Sequence, residues 1–182
     1  MPLTQDEAAA ALDEIERTGR HATELQVYAG AAPFFLVWGT VWVFGYTTSH
    51  FMPEFRAAFW AAGITAGVIL SIVLGKRQGT KRHGFSAWRY GAISVGIAAF
   101  FALSSIVLKL NAREVDAFVP LVFAGIYLAV GMFAGTRFAF CGAILAIATA
   151  IGFFNAGEFF GLWMAAAGGG VLLLTGFWLR RV

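Results

Sequence analysis

The sequence predicts an all-α polytopic membrane protein: six transmembrane helices as three hairpins, both termini cytoplasmic (N-in/C-in), with an N-terminal cytoplasmic amphipathic helix ahead of them. Three observations carry this. Of 182 residues, 59% are hydrophobic and only 13% charged, with a mean hydropathy of +0.75, far from the composition of a soluble domain. Six apolar runs of 17 to 21 residues, at 31–49, 57–75, 91–108, 118–135, 138–154 and 159–179, contain no Asp, Glu, Lys, Arg or His. At 1.5 Å per residue each is long enough to cross about 30 Å of hydrocarbon. The charges between the runs are segregated. Connections on the side of the termini carry eight bases (Lys76, Arg77, Lys81, Arg82, Arg89, Arg137, Arg180 and Arg181) and no acid, whereas the opposite side holds Arg56, Lys109 and Arg113 with Glu54, Glu114, Asp116 and Glu158. Lys and Arg in short loops are retained in the cytoplasm, so the basic side is inside.

Little chain is left outside the membrane. The longest stretches are the first 28 residues and one connection of about 15, below the roughly 40 residues at which independent folding becomes plausible. The domain organisation is therefore 1–28, a cytoplasmic acidic helix, and 29–182, a six-helix transmembrane bundle.

The start, MPLTQDEAAAALDEIER, lacks the basic n-region of a secretory signal, so no cleavage is expected and the first apolar run serves as an anchor. Thr4-Gln5-Asp6-Glu7 fits a capping box, and Ala8, Ala11, Leu12, Ile15, Ala22 and Leu25 follow at helical spacing on one side. The other side is acidic: Asp6, Glu7, Asp13, Glu14, Glu16 and Glu24 against Arg17 and Arg20, two minus six, or −4. An anionic inner leaflet repels such a helix, so its apolar stripe is expected to meet protein. Thr18 and Gly19 interrupt the stripe, and one interior glycine costs about 1 kcal/mol relative to alanine. A capped, amphipathic but marginal helix is suited to binding.

Helix one carries Phe34, Trp38, Trp42, Tyr46 and His50 at four-residue spacing. Each step overshoots a turn by about 40°, so the ladder winds around the helix. It is expected to meet lipid and neighbouring helices, with Tyr46 and His50 at the outer interface. Helix two presents Gly63, Gly67, Ser71 and Gly75 on one face and runs into the basic loop from Lys76 to His83. Helix three contains Ser104-Ser105, helix four Gly131 and Gly135, helix five Gly142, Ala146 and Ala150, and helix six Gly157, Gly161, Ala165 and Gly169. Small residues every fourth position let membrane helices approach closely, and these faces read as packing seams. Helices two, four and six each begin near an acid and a phenylalanine and end near a base, complementing the helix dipole at both ends.

Chemistry is defined mostly by what the runs omit. Apart from Cys141 no ionisable thiol, acid or base lies within them, which disfavours proton-coupled transporters, pumps and voltage sensors. One cysteine allows neither an intrachain disulfide nor a cysteine metal cluster. Membrane hydroxyls, including Thr40, Ser71, Thr149 and Thr175, are expected to bond back to their own helices. On the outer side His50, Met52, Glu54, Glu114, Asp116 and Glu158 are metal-ligand types without a known spacing. No nucleophile elbow, zinc helix or P-loop is present. No catalytic, cofactor or metal residue is assigned.

The resulting expectation is a non-enzymatic regulatory or interaction protein of a bacterial inner membrane. It engages a cytoplasmic or membrane protein partner through Leu12, Ile15, Glu16 and Leu25 on the acidic helix and Lys76, Arg77, Lys81 and Arg82 on the basic loop. Membrane lipid and a homo-oligomer are further expected partners, and nucleic acid is not. The alternative is a transport component or oligomeric channel for a neutral or hydrophobic solute. In length and topology alone, six helices in about 180 residues with both ends inside resemble the substrate-binding components of energy-coupling-factor vitamin transporters. That resemblance implies no site residue.

Overall fold

A computed structural model of the chain describes residues 5–78 and 87–181, and these are helical with short turns and no strand. The elements are α1 (Gln5–Phe51), a 3-10 turn (Pro53–Phe55), α2 (Arg56–Gln78), α3 (Ala87–Val107), α4 (Ala112–Ala134), α5 (Thr136–Asn155), and a second 3-10 turn (Gly157–Phe159). A last rod then runs without a break through α6 (Phe160–Trp163), a π-helical segment (Met164–Gly169) and α7 (Gly170–Arg180). Among the described residues five stretches are long and apolar enough to cross a membrane: Leu12–Phe51, Pro53–Gln78, Ala112–Ala134, Thr136–Asn155 and Gly157–Arg180.

The leader and the first apolar run form one helix. At 47 residues, α1 extends about 70 Å, more than twice a bilayer core. Its N-terminal portion is a rod that continues past the bundle, and its C-terminal portion is the axis on which the bundle packs. Pro33 lies within it and removes one intrahelical donor.

Both neighbours of α1 run antiparallel to it. Along α2, Gly45 faces Trp60, Gly63 faces Val41 and Phe44, and Gly67 faces Val41 and Trp38. Along the last rod, Gly161 faces Tyr46 and His50, Gly169 faces Val43 and Gly39, and Gly176 faces Leu36 and Ala32. A Cβ on Gly39 would stand 2.9 Å from Leu173, and one on Gly176 2.8 Å from Leu36, so the backbones approach to a distance that side chains forbid. Helices α4 and α5 form a second antiparallel pair, with Gly131 against Ala139 and Gly142 against Ala124 and Leu128. Gly135 sits at the apex of that pair with φ +121°, a conformation open to glycine but strained for any residue with a Cβ. In α3 the aliphatic side chains at Val95, Ile97, Leu103, Ile106 and Val107 are exposed, and its contacts include Phe101 against Phe118 and Phe123 of α4.

Local signals end and start these helices. Pro53 opens the first 3-10 turn after Met52 N–H donates to Thr48 at 2.8 Å. Lys109, with φ 51°, terminates α3. Asn111 and Glu114 then form a reciprocal capping box: Glu114 N–H donates to Asn111 Oδ1 at 3.0 Å and Asn111 N–H to Glu114 Oε2 at 2.7 Å, satisfying two orphan donors of α4.

The core is aromatic and small. Tyr28, Ala32, Phe35, Trp42 and Tyr46 of α1 pack with Ala117 and Ala124 of α4, Phe138, Cys141 and Leu145 of α5, and Phe160, Met164, Leu172 and Leu179 of the last rod. The periphery is apolar too: Ile69, Leu70, Met132, Phe133, Ile147 and Leu174 are exposed. Such a surface suits lipid and is disfavoured in water. The aromatic ladder divides as its winding requires, with Trp42 and Tyr46 buried and Phe34, Trp38 and His50 only partly so. Tyr46 is therefore an interior residue, in contrast to its expected place at the outer interface.

Candidate functional site

The two ends of the bundle carry different chemistry. At the rod end, Leu12 and Ile15 of α1 are 67% and 69% exposed, and Asp13, Glu14 and Glu16 beside them are exposed as well. Leu25 lies farther along the helix and packs partly buried against the core. Lys76 and Arg77 end α2 in exposed positions, at the level of Gly30, whose Cβ would lie 3.9 Å from Gln78 Oε1. Ile15 is fifteen residues from Gly30 along α1, about 22 Å at helical rise. The structure thus separates the Leu12–Glu16 surface from Lys76 and Arg77. Lys81 and Arg82 lie outside the described residues, as does Thr4 of the capping box.

One cluster ties the rod to the bundle. The Tyr28 hydroxyl donates to Glu24 Oε1 within α1 and accepts from the Arg137 backbone N–H at 3.3 Å. The Arg137 guanidinium lies between the rings of Tyr28 and Trp178, 5.0 and 4.8 Å from their centroids, and donates to the Trp178 carbonyl at 3.0 Å. Glu24 and Tyr28 also close over the apex at Gly135. From the sequence, Arg137 reads as a base that sets topology and complements a helix dipole. Its stacking partners stand 109 and 41 residues away in the chain, beyond any local pattern.

At the opposite end five elements meet around a cavity of about 250 Å³ lined by Ser49, His50, Arg56, Ala112, Arg113, Asp116, Gly157, Glu158, Phe160 and Gly161. Its floor is an ion pair: both guanidinium nitrogens of Arg56 donate to the two carboxylate oxygens of Asp116, Nη1 to Oδ2 at 2.9 Å. The side chains are 28% and 12% exposed. The Tyr46 hydroxyl donates to the Asp116 carbonyl at 2.9 Å, fixing the first turn of α4 from below. Arg113 donates to the Phe153 carbonyl, and its guanidinium lies over the rings of Phe153 and Phe160 at 5.2 and 5.9 Å. The Ser49 hydroxyl is buried without a hydrogen-bond partner among the described residues. Glu158 has no ion pair among the described residues.

The residues that sequence reading grouped as outer-face ligand types therefore divide. His50, Asp116 and Glu158 line the cavity, and Glu114 is occupied by its capping box. No group of three His, Cys, Asp or Glu side chains among the described residues is placed to hold a metal ion. Arg56 and Arg113 were not singled out from the sequence. The only available signal was that both sit beside helix starts that also carry acids.

The packing glycines are placed as follows. Gly63, Gly67, Gly131, Gly161 and Gly169 face a neighbouring helix, Gly75 is buried, and Gly135 is the α4–α5 apex. Gly157 departs from its expected seam: it is an exposed turn residue with φ +53° and nothing within 4 Å of a would-be Cβ, so its contribution is conformational.

The chain matches no known protein family, no curated protein and no solved structure. Its functional reading rests on the geometry of its own two ends.

Proposed function

We propose that the protein is a non-enzymatic membrane regulatory or interaction protein, whose bundle holds an acidic helical rod in the cytoplasm for a protein partner. In this reading the chain crosses a bacterial inner membrane six times, as three successive hairpins with both termini inside, because the basic connections lie on that side. The observation that carries the proposal is the exposure of Leu12 and Ile15 on a helix continuous with the bundle axis. Two large aliphatic side chains one turn apart make an anchor pair for helix-in-groove docking. The flanking Asp13, Glu14 and Glu16 select a basic groove and speed encounter.

The alternative of solute transport is less well supported. Thr40, Thr48, Ser105 and Thr149 each donate to the carbonyl four residues back in their own helix, at 2.7 to 2.8 Å, which commits those hydroxyls to the backbone; Ser71, expected to do the same, is buried with no hydrogen-bond partner among the described residues. The experiment is affinity purification of the intact protein in mild detergent beside the double substitution Leu12→Ser, Ile15→Ser. The variant is expected to lose a stoichiometric protein partner while remaining a folded bundle. Unchanged co-purification refutes the reading, and solute uptake into proteoliposomes by both forms establishes the alternative.

A further inference from the structure

The cavity at the end opposite the rod is built from charged groups in two different states. Arg56 and Asp116 satisfy each other in a bidentate pair. Arg113 has two aromatic faces and one carbonyl as partners, leaving most of its five N–H donors available. Glu158 has no partner among the described residues, and His50 has only the rings of Phe51 and Phe159. Formal charge is balanced, Arg56 and Arg113 against Asp116 and Glu158, but one cation and one anion are not used by each other. The Ser49 hydroxyl, buried and unpartnered among the described residues, adds a group able both to donate and to accept.

The surroundings are apolar. Phe51 and Phe159, which stack on His50, and Phe154, which stacks on Phe153 beneath Arg113, are themselves largely exposed. A polar cavity rimmed by exposed phenylalanines at the ends of membrane-length helices is matched to an amphiphile: its head in the cavity, its chains along the rim. The volume, about 250 Å³, is below the 300 to 1,000 Å³ of sites for whole drug-sized ligands. It suits a headgroup rather than an entire molecule.

We propose that this cavity binds the headgroup of a zwitterionic phospholipid bearing a primary ammonium, with the phosphate on Arg113 and His50 and the ammonium on Glu158. Each lipid class leaves a different debt. An anionic headgroup satisfies Arg113 but places a second negative charge beside the Glu158 carboxylate. A choline headgroup carries both charges but offers no N–H to the Glu158 carboxylate or the Ser49 hydroxyl. A primary ammonium donates to both. The Arg56 and Asp116 side chains already satisfy each other, which leaves Arg113 and Glu158 to meet the headgroup.

The test uses the full-length protein in mild detergent, with native mass spectrometry counting retained lipid after addition of phosphatidylethanolamine, phosphatidylcholine or phosphatidylglycerol with identical oleoyl chains. The ethanolamine lipid is expected to be retained about tenfold more strongly than the choline lipid, equivalent to about 1.4 kcal/mol. Glu158→Gln should bring these two to parity, and Arg113→Gln should weaken both. Far-UV circular dichroism establishes that each variant is folded. Glu158 is exposed in a turn, so E158Q alone decides the matter if R113Q does not fold. Equal retention of ethanolamine and choline lipids by the wild type, a preference unchanged in E158Q, or stronger retention of the glycerol lipid each overturns the proposal. Soluble glycerophosphoethanolamine, which lacks acyl chains, should not displace the ethanolamine lipid at equal concentration. Displacement assigns the cavity to a free solute and overturns the lipid assignment.

Discussion

Helices α4 and α5 approach each other along glycines, and the effect of adding one carbon there follows from the geometry. A Cβ on Gly142 would lie 2.6 Å from the Ala124 carbonyl oxygen, 2.8 Å from the Leu128 nitrogen and 3.0 Å from Leu128 Cγ. Two of these three atoms are backbone and cannot rotate away. Restoring a contact of about 3.5 Å requires the helices to part by about 0.9 Å, and a gap of that size forfeits a quarter to a half of each neighbouring dispersion contact. Overpacking of this kind costs about 1–3 kcal/mol, against which alanine gains about 0.8–1.0 kcal/mol of helix propensity. Gly142→Ala should therefore be destabilising by up to about 2 kcal/mol. Gly125, one residue after Ala124 on α4, is the internal control: nothing lies within 4 Å of its Cβ position. Gly125→Ala should gain only the conformational benefit, about 0.4–1 kcal/mol. The assay is reversible unfolding by sodium dodecyl sulfate in mixed micelles, followed by far-UV circular dichroism. The two variants should move to opposite sides of the wild type, separated by about 2 kcal/mol, or roughly thirtyfold in the folded-to-unfolded ratio. Shifts of the same sign and size would refute the close backbone approach as the reason for Gly142.

Two further predictions use the same assay. Asp116→Asn and Arg56→Met should each destabilise by about 2–4 kcal/mol, because removing one member of a largely buried pair strands the other. The double variant should lose less than the sum of the two, and strict additivity would show that the pair is not coupled. Arg137→Ala should cost about 2 kcal/mol through two lost cation–π contacts of roughly 0.5–1 kcal/mol each and a carbonyl hydrogen bond. Arg137→Lys should restore only part of this, since an ammonium cannot lie flat between Tyr28 and Trp178. Full rescue by lysine would assign the effect to charge alone.

Helix content and most boundaries were legible in the sequence because hydrocarbon leaves the backbone one solution: every peptide group within a crossing segment must bond inside it. The run at 118–135 lies within α4 and the apex at Gly135, and the run at 138–154 lies within α5. The Asn111-x-x-Glu114 cap is equally legible in the sequence, where Glu114 otherwise stands only among the outer-side ligand types. Two features were not legible. The continuity of α1 through residue 28 depends on the absence of a breaker that Gly30 and Pro33 would both have suggested, and Tyr28 and Leu25 packing on the core supports that continuity. The π-helical segment at Met164–Gly169 arises where three alanines and two glycines let the rod widen against Trp42, Val43 and Gly39, a tertiary fit that no periodicity in the last run announces.

The candidate sites differ in the same way. Leu12 and Ile15 were found from spacing because a helical stripe is a local property. The cavity was not, because Ser49, Arg56, Arg113 and Glu158 come from four separate chain segments, and each alone reads as an ordinary helix-end residue. By itself the sequence determined that this protein is helical, apolar and charge-segregated, since composition and run length answer directly to the solvent around them. Only the tertiary structure decided which charges satisfy one another: it pairs Arg56 with Asp116, stacks Arg137 between two aromatic rings, and leaves Arg113 and Glu158 without each other. Coulomb and hydrogen-bond energies depend on separations of a few ångströms between residues far apart in the chain, and those separations exist only once the helices have packed.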